Sequence, residues 1–380
     1  MRIAIIAHAL RGGGGVSVGK NIIASFERIA PNFEFLISIP AGLGYDEVCN
    51  NIPSRQIIAF HHGGNLLRRY FFEKFELVPT VNSFKPDVVL CLGNVALHNI
   101  KFPQALLLHN PYYVYPPQHF GPAADLRLRS LIAFQRLRFS RDLDRINLLF
   151  CQTEPMSLRV RSFYKYNGDI QIIPNAVSQF TLLCEDLDDH PFPKALERYR
   201  DKRWLFYLTA YYTHKNIELL LKLFSEKSDE LKDYIAVITI SGHESKAASR
   251  LLRKIIESNL QDRIINVGPL QQNELASYFA HSYALFMPTL LESFSASYLE
   301  SMYFELPILT SDLDFAHAVC GEAAIYFNPR DLESAIQAIQ QVDVRSDDLV
   351  ALGRMQLSSL FCGWDEIVVK MLSSLETIAT

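Results

Sequence analysis

Short, almost continuously apolar runs recur along the chain, separated by longer stretches in which apolar and polar residues are mixed. Arg2–His8, Phe33–Pro40, Gln56–Phe60, Asp87–Leu92, Ala105–His109 and Asn147–Gln152 read as strands of a sheet buried on both faces. Ser17–Arg28, Asn65–Leu77, Asp125–Leu143 and Glu154–Lys165 fall between them and read as helices. The rhythm then starts again. Trp204–Leu208, Tyr234–Ser241, Ile264–Val267, Tyr283–Met287, Pro307–Thr310 and Ala323–Phe327 read as strands. Ile217–Phe224, Lys246–Ser258, Asn273–Ala280 and a run opening at Ser295 or Ser297 read as helices, either serine being able to cap its start. Alternation of strand and helix predicts a parallel, doubly wound α/β sheet, and two such series predict two sheets.

Length agrees with that division, since 380 residues exceed what a single core usually serves. The expected boundaries are 1–180 for a first Rossmann-like domain, 181–362 for a second, and 363–380 for a closing amphipathic helix. The charged, proline-bearing stretch Cys184–Arg203 reads as the segment between the domains. A hydrophobic content of 49% with 21% charged residues argues for packed cores and against disorder. The net charge of −4 gives no reason to expect a nucleic-acid partner. No apolar run approaches a membrane span, and MRIAIIAHAL reads as a first strand rather than a signal peptide. Six scattered cysteines, several inside apolar strands, point to a reducing compartment and away from structural zinc.

Candidate chemistry gathers where strands give way to helices. Glu292 lies on the loop after the strand Tyr283–Met287, and Glu300 one to two turns into the next helix. A helix start at the carboxyl end of a parallel strand offers unpaired N–H groups to an anion. Carboxylates on both sides of such a start suit a ligand with hydroxyls flanking a diphosphate, which describes a nucleotide sugar. Lys215, in the loop after Trp204–Leu208, could add a point charge to that diphosphate. His109 ends a strand beside aromatic residues, where it can hydrogen-bond a sugar hydroxyl. Gly12–Gly15 sits between the first strand and helix and lets backbone approach a ligand. A dinucleotide fold competes for that feature. However, the glycines form no clean G-x-G-x-x-G, and the second strand ends without the acid that would hold a ribose.

The pattern Glu292-x7-Glu300, written ESFSASYLE between LFMPTL and SMYFELPILTSD, resembles the signature of GT-B glycosyltransferases of the family 4 type, the glycosyl transferases group 1. The resemblance extends over most of the chain. Ile170–Val177 resembles an I-P-N-G-V-D motif at the domain hand-over, with Ala176 in place of its glycine. The Lys215 loop resembles G-R-L-x-x-x-K-G/N, with Ala210 where that motif has arginine. Ser293 and Ser295 replace the two glycines of E-G-F-G-x-P. The resemblance implies a GT-B architecture, two Rossmann-like domains facing a cleft, with the last helix crossing back to the first domain. It implies catalytic roles for Glu292, His109 and Lys215. Donor binding would fall to Gly13, Gly14, Gly15, Lys215, Pro269, Glu292, Ser293, Phe294, Ser295, Ala296, Ser297 and Glu300. Arg11 is a further candidate to stand in for the missing arginine.

By the same resemblance, the expected activity is retaining transfer of a hexosyl group from a nucleoside-diphosphate sugar to a glycan or lipid-linked acceptor, in bacterial surface polysaccharide synthesis. No metal or other cofactor is expected, no D-x-D standing where a metal would be sought. The alternative is a nucleotide-sugar-binding subunit without catalysis of its own, suggested by Ala210. Finally, Leu126–Arg145 interleaves six arginines with large apolar residues, and Leu66–Phe72 is basic and aromatic. Such helices can lie on an anionic bilayer, so the expected location is cytoplasmic, with peripheral contact at the membrane's inner face.

Overall fold

The computed structural model describes residues 1–49, 55–61, 66–177, 190–243, 245–360 and 363–379. The chain divides into two compact units. The first comprises Met1–Val114, Ser130–Ala176 and Cys362–Thr380, and the second Tyr115–Arg129 and Val177–Phe361. Each is built on one parallel sheet, as expected of two Rossmann-like halves.

The first unit contains β1 (Arg2–Ile6), β2 (Glu34–Pro40), β3 (Arg55–Phe60), β4 (Val88–Cys91), β5 (Gln104–Leu108), β6 (Leu148–Cys151) and β7 (Asp169–Ile172). They pair in the order β3-β2-β1-β4-β5-β6-β7, every pair parallel. Strand order reverses between β1 and β4, which register with Ile3 opposite Val88 and Ile6 opposite Cys91. Ile5, Ile37, Leu90, Leu107 and Phe150 form the centre of one core, and Ile22 and Phe26 of the helix Gly13–Ile29 close it. The closing helix Trp364–Ala379 belongs to this unit. It sets Ile367, Met371 and Leu375 into the same core, while the Arg28 guanidinium grips the Asp365 carboxylate.

The second unit contains β8 (Arg203–Tyr207), β9 (Tyr234–Ile238), β10 (Ile264–Asn266), β11 (Ala284–Met287), β12 (Ile308–Ser311) and β13 (Ala324–Phe327). Their order is β10-β9-β8-β11-β12-β13, again all parallel. Here the reversal falls between β8 and β11. Phe206 packs edge-on against Phe279, and Phe286 stacks on Phe327 with ring centres 5.0 Å apart, so aromatic rings fill both faces of the sheet.

Several elements depart from expectation. The first helix begins at Gly13, not Ser17, so the glycines form its first turn. The expected helix Asn65–Leu77 is α-helical over Leu66–Phe72 and a π-helix over Glu73–Leu77, continuing as α-helix Val78–Phe84; Asn65 lies outside the described residues. Cys49, Cys91, Cys151 and Cys320 are buried free thiols, whereas Cys184 and Cys362 lie outside the described residues. The described part of the stretch Cys184–Arg203 forms a 3-10 turn, Lys194–Tyr199.

Candidate active site

In the second unit the loops after β8 and β11 stand side by side, because those strands are neighbours across the reversal. That crevice is where open parallel sheets bind ligands. The first loop carries Lys215 and the second Glu292. The Lys215 ammonium donates to Glu292 Oε1, and both side chains are largely shielded from solvent, 15% and 12% exposed. Sequence alone gave these residues separate tasks, but the fold makes them one ion pair. Thr289 Oγ1 lies 3.2 Å from the same Glu292 oxygen, a buried hydroxyl that spacing did not single out.

The Lys215 loop is held from several sides. Tyr207 donates its hydroxyl to the Lys215 carbonyl at 2.9 Å, and Leu290 N donates to the His214 carbonyl at 2.7 Å. Asn216 takes a left-handed conformation with φ of 54°, which asparagine tolerates better than most residues. Its amide donates to the carbonyls of Pro288 at 3.1 Å and Pro329 at 2.9 Å. The turn after β8 is thereby stapled to the loops after β11 and β13. In the sequence this turn falls where the Lys215 loop resembles the K-G/N end of the family motif. Ala210 is followed by Tyr211, whose hydroxyl donates to Glu218 Oε1 at 2.7 Å.

Helix Ala296–Tyr303 opens on Ser295, whose side chain forms no capping bond, so its hydroxyl is not committed to the helix start. Ser293, Phe294 and Ser297 are buried around that start. Glu300 is only 6% exposed. Burial, unrelieved by any hydrogen-bond donor among the described residues, raises its pKa to about 7. A buried carboxyl left in that state is unusual, because burying a charge without partners is costly. Gly268, with φ of 75°, turns the chain after β10, and Pro269 beside it is exposed.

The remaining candidates lie in the first unit. His109 follows β5, where its Nε2–H donates to the Leu92 carbonyl and its backbone N–H donates to Asn94 Oδ1 at 2.7 Å. Nδ1 has no hydrogen-bond partner among the described residues. Burial pushes the imidazole pKa down to about 4 against the opposing pull of that carbonyl, so His109 is neutral at physiological pH. Gly13 and Gly14 open the first helix, and a β-carbon at either would meet nothing within 4 Å. The positive φ of 38° is what calls for glycine at position 13, while packing leaves the surface over the first turn open. Arg11 buries Nη1 without a partner among the described residues.

A D-x-D triplet, Asp312-Leu313-Asp314, follows β12. Its carboxylates turn to different partners, Asp312 to His317 Nε2 at 2.7 Å and Asp314 to the Tyr115 hydroxyl at 2.9 Å. Among the described residues no three His, Cys, Asp or Glu side chains gather as a metal site would require. Nor is any described helix long and apolar enough to cross a membrane.

Residues 188–343 match the family model of glycosyl transferases group 1. Over 152 residues the chain is 26% identical to the O-antigen chain mannosyltransferase RfbU of Salmonella typhimurium, a match spanning 40% of this chain and 42% of that protein. The chain therefore covers less than half the length of this curated relative. Among solved structures, sucrose-phosphate synthase from Thermosynechococcus elongatus matches with a TM-score of 0.72 at 15% identity, covering 99% of this chain and 98% of its own. Anabaena HepE in complex with UDP and glucose matches with a TM-score of 0.69 at 13% identity, over 99% of this chain and 100% of that one. An Escherichia coli structure described as trehalose-6-phosphate bound with UDP-2-fluoro glucose matches with a TM-score of 0.70 at 11% identity, over 100% and 99%. At such identities the likeness is one of fold.

Proposed function

We propose that the chain is a glycosyltransferase, from the group 1 domain matched in its second unit and the two-sheet fold it shares with solved GT-B-like structures. A sugar moves from a nucleoside-diphosphate sugar to a glycan or lipid-linked acceptor, with retained anomeric configuration and without a metal, in bacterial surface polysaccharide synthesis. The bond between the anomeric carbon and the diphosphate oxygen breaks, and its electron pair leaves with the nucleoside diphosphate. The acceptor hydroxyl forms the new bond, and its proton passes to the departing phosphate oxygen. Positive charge grows on the sugar ring while negative charge grows on the diphosphate, so the site must stabilise both.

In this reading Lys215 faces the diphosphate, and Glu292 accepts hydrogen bonds from the transferred sugar. Donor binding exchanges the direct ion pair for contacts of each partner with the ligand. The uncommitted Ser295 hydroxyl and the helix start supply further donors to phosphate, where Ala210 supplies none. Glu300 takes the ribose hydroxyls and Pro269 borders the base. Within the first unit, taken by itself, Gly13, Gly14, Gly15 and the neutral His109 are the candidates for contact with a sugar or acceptor. The observation that carries this reading is the Lys215–Glu292 pair beside the reversal of strand order in the second sheet.

The test has two stages. Thermal-shift screening against uridine, guanosine and adenosine diphosphates and their sugars should raise the melting temperature with one base. UDP heads the screen, because HepE and the E. coli structure were solved with uridine nucleotides. Slow release of free sugar from the matching donor, without acceptor, then separates a transferase from a binding subunit. Stabilisation without any release, even after prolonged incubation, would favour the subunit.

A further inference from the structure

Apolar side chains stand in water on one part of the first unit. In the segment Leu66–Leu77, Leu67 is 71% exposed, Phe71 54% and Phe75 64%. Phe71 and Phe75 stack on each other, with rings 5.9 Å apart and 13° from parallel, instead of turning into the core. Lys74 lies over Phe75 with its ammonium 5.1 Å from the ring centre. Phe134, 59% exposed, and Leu137, 54% exposed, face outward from the helix Leu126–Leu143.

One buried carboxylate knits the two segments together. Glu73 stands in the π-helical turn, a geometry often found at functional sites. Its Oε1 accepts from Arg69 Nε at 2.6 Å and from His8 Nε2 at 3.1 Å, and its Oε2 from Arg138 Nη2 at 3.1 Å. Arg138 belongs to the second segment, and His8 follows the end of β1. The exposed side chains therefore sit on one braced surface attached to the strand that leads into Arg11–Gly15.

We propose that this surface docks on an anionic lipid bilayer. Residues 66–77 and 130–145 hold seven Arg and Lys against four Asp and Glu, an excess of three positive charges with Glu73 counted against the Arg69 and Arg138 it binds, in a chain whose net charge is −4. Positive charge interleaved with aromatic rings matches the interfacial zone of an anionic membrane, where rings enter the headgroup layer and basic groups meet phosphate. The inference deepens the reading above, since a lipid-linked acceptor is met at a membrane. It rests on that reading for its purpose but not for its measurement.

Co-sedimentation of the full chain with vesicles tests it. Vesicles of phosphatidylcholine containing a quarter phosphatidylglycerol should bind the protein in low salt and release it in high salt, and pure phosphatidylcholine should bind it far less. Phe71→Ser with Phe75→Ser should weaken vesicle affinity on the order of ten- to a hundred-fold. Lys74→Ala and Arg141→Ala should each weaken it about five-fold. Circular dichroism melts and donor hydrolysis in solution, neither of which needs the bilayer, should remain at wild-type values. Absence of binding to anionic vesicles, or equal binding by the double Phe variant, overturns the proposal. So does a concentration-dependent dimer that the double Phe variant abolishes, which would assign the surface to a second copy. If vesicles bind but no donor is ever hydrolysed, the docking surface stands and the catalytic reading falls.

Discussion

Glu300→Gln should make the protein more stable and less able to hold its donor, with the gain in stability set by pH. In the folded chain this carboxyl has a pKa of about 7 against an ordinary value of 4.5, because burial opposes its charge. From about pH 4.5 to 7 the folded chain holds a proton that the unfolded chain has released, so stability falls as pH rises through that window and levels off above it. The full loss is about 3 kcal/mol, at roughly 1.4 kcal/mol per tenfold change in acidity. Glutamine carries no charge and escapes this loss. Its melting temperature should match wild type near pH 4.5 and exceed it at pH 8 by about 6–12 °C, at roughly 2–4 °C per kcal/mol for a unit of this size. Glutamine also brings an amide into a poorly partnered place, so Glu300→Met provides a second variant, which should show the same trend with pH. Differential scanning fluorimetry from pH 4.5 to 8.5, without ligand, is the measurement. A difference that stays constant across pH, or a wild type that is the more stable at pH 8, would refute the reasoning. Calorimetric titration completes the case. If the ribose bonds to the ionised carboxylate, nucleoside diphosphate binding near pH 7 releases a proton from wild type and none from Glu300→Gln, whose affinity should fall on the order of ten-fold or more.

Three further outcomes follow from the same geometry. Lys215→Ala and Glu292→Gln should each destabilise the second unit by about 1–3 kcal/mol, because each strands a shielded partner. The double variant should lose about 1–2 kcal/mol less than the sum of the single losses, and strict additivity in urea melts would show the pair to be uncoupled. His109, neutral above about pH 5, should leave no inflection near pH 6.5 in kcat/KM. An inflection near pH 7 should instead disappear in Glu300→Gln, and its survival there would assign it elsewhere. Gly19→Ala should cost about 1–3 kcal/mol, since its β-carbon would lie 2.4 Å from Tyr45 Oη and 2.8 Å from Leu10 Cδ1; an unchanged melting temperature would mean that the Tyr45 ring moves aside freely.

Strands buried on both faces were legible because such strands must be apolar throughout. β1, β4, β6 and β11 are buried at nearly every position, and their runs stand out against any background. β7 did not announce itself, because it forms the sheet's edge and three of its four residues are exposed. The long helix Leu332–Leu360 was missed for a related reason. Its buried positions Ala335, Ile336, Ile339 and Val342 keep helical spacing, but the turns beyond them bury only Leu349 and Gly353 among many polar residues. The π-helical turn at Glu73 was invisible to a reading that assumes 3.6 residues per turn. At the candidate site, spacing placed Lys215 on one strand's exit loop and Glu292 on another's. It could not show that β8 and β11 are neighbours, and so could not show the ion pair. Adjacency of strands far apart in sequence is a property of the sheet, which local pattern does not carry.

Two buried glutamates show what separates structural polarity from polarity awaiting a ligand. Glu73 and Glu300 are equally hidden, at 7% and 6% exposure, yet their acidities move in opposite directions. Burial opposes the charge of both. At Glu73 the hydrogen bond from His8 and the charges of Arg69 and Arg138 overcome that opposition, and the carboxyl lies well below the usual carboxylate range. A network so fully occupied has little capacity left for a ligand, and its work is to brace two surface segments. Nothing among the described residues answers Glu300, so the protein bears the cost of desolvating it without the return of a bond. A folded chain keeps such a cost where some other molecule supplies the missing partner. Glu300 stands in the helix that follows the β11 exit loop carrying Glu292, and that shared exit is why the proposal gives it to the same donor.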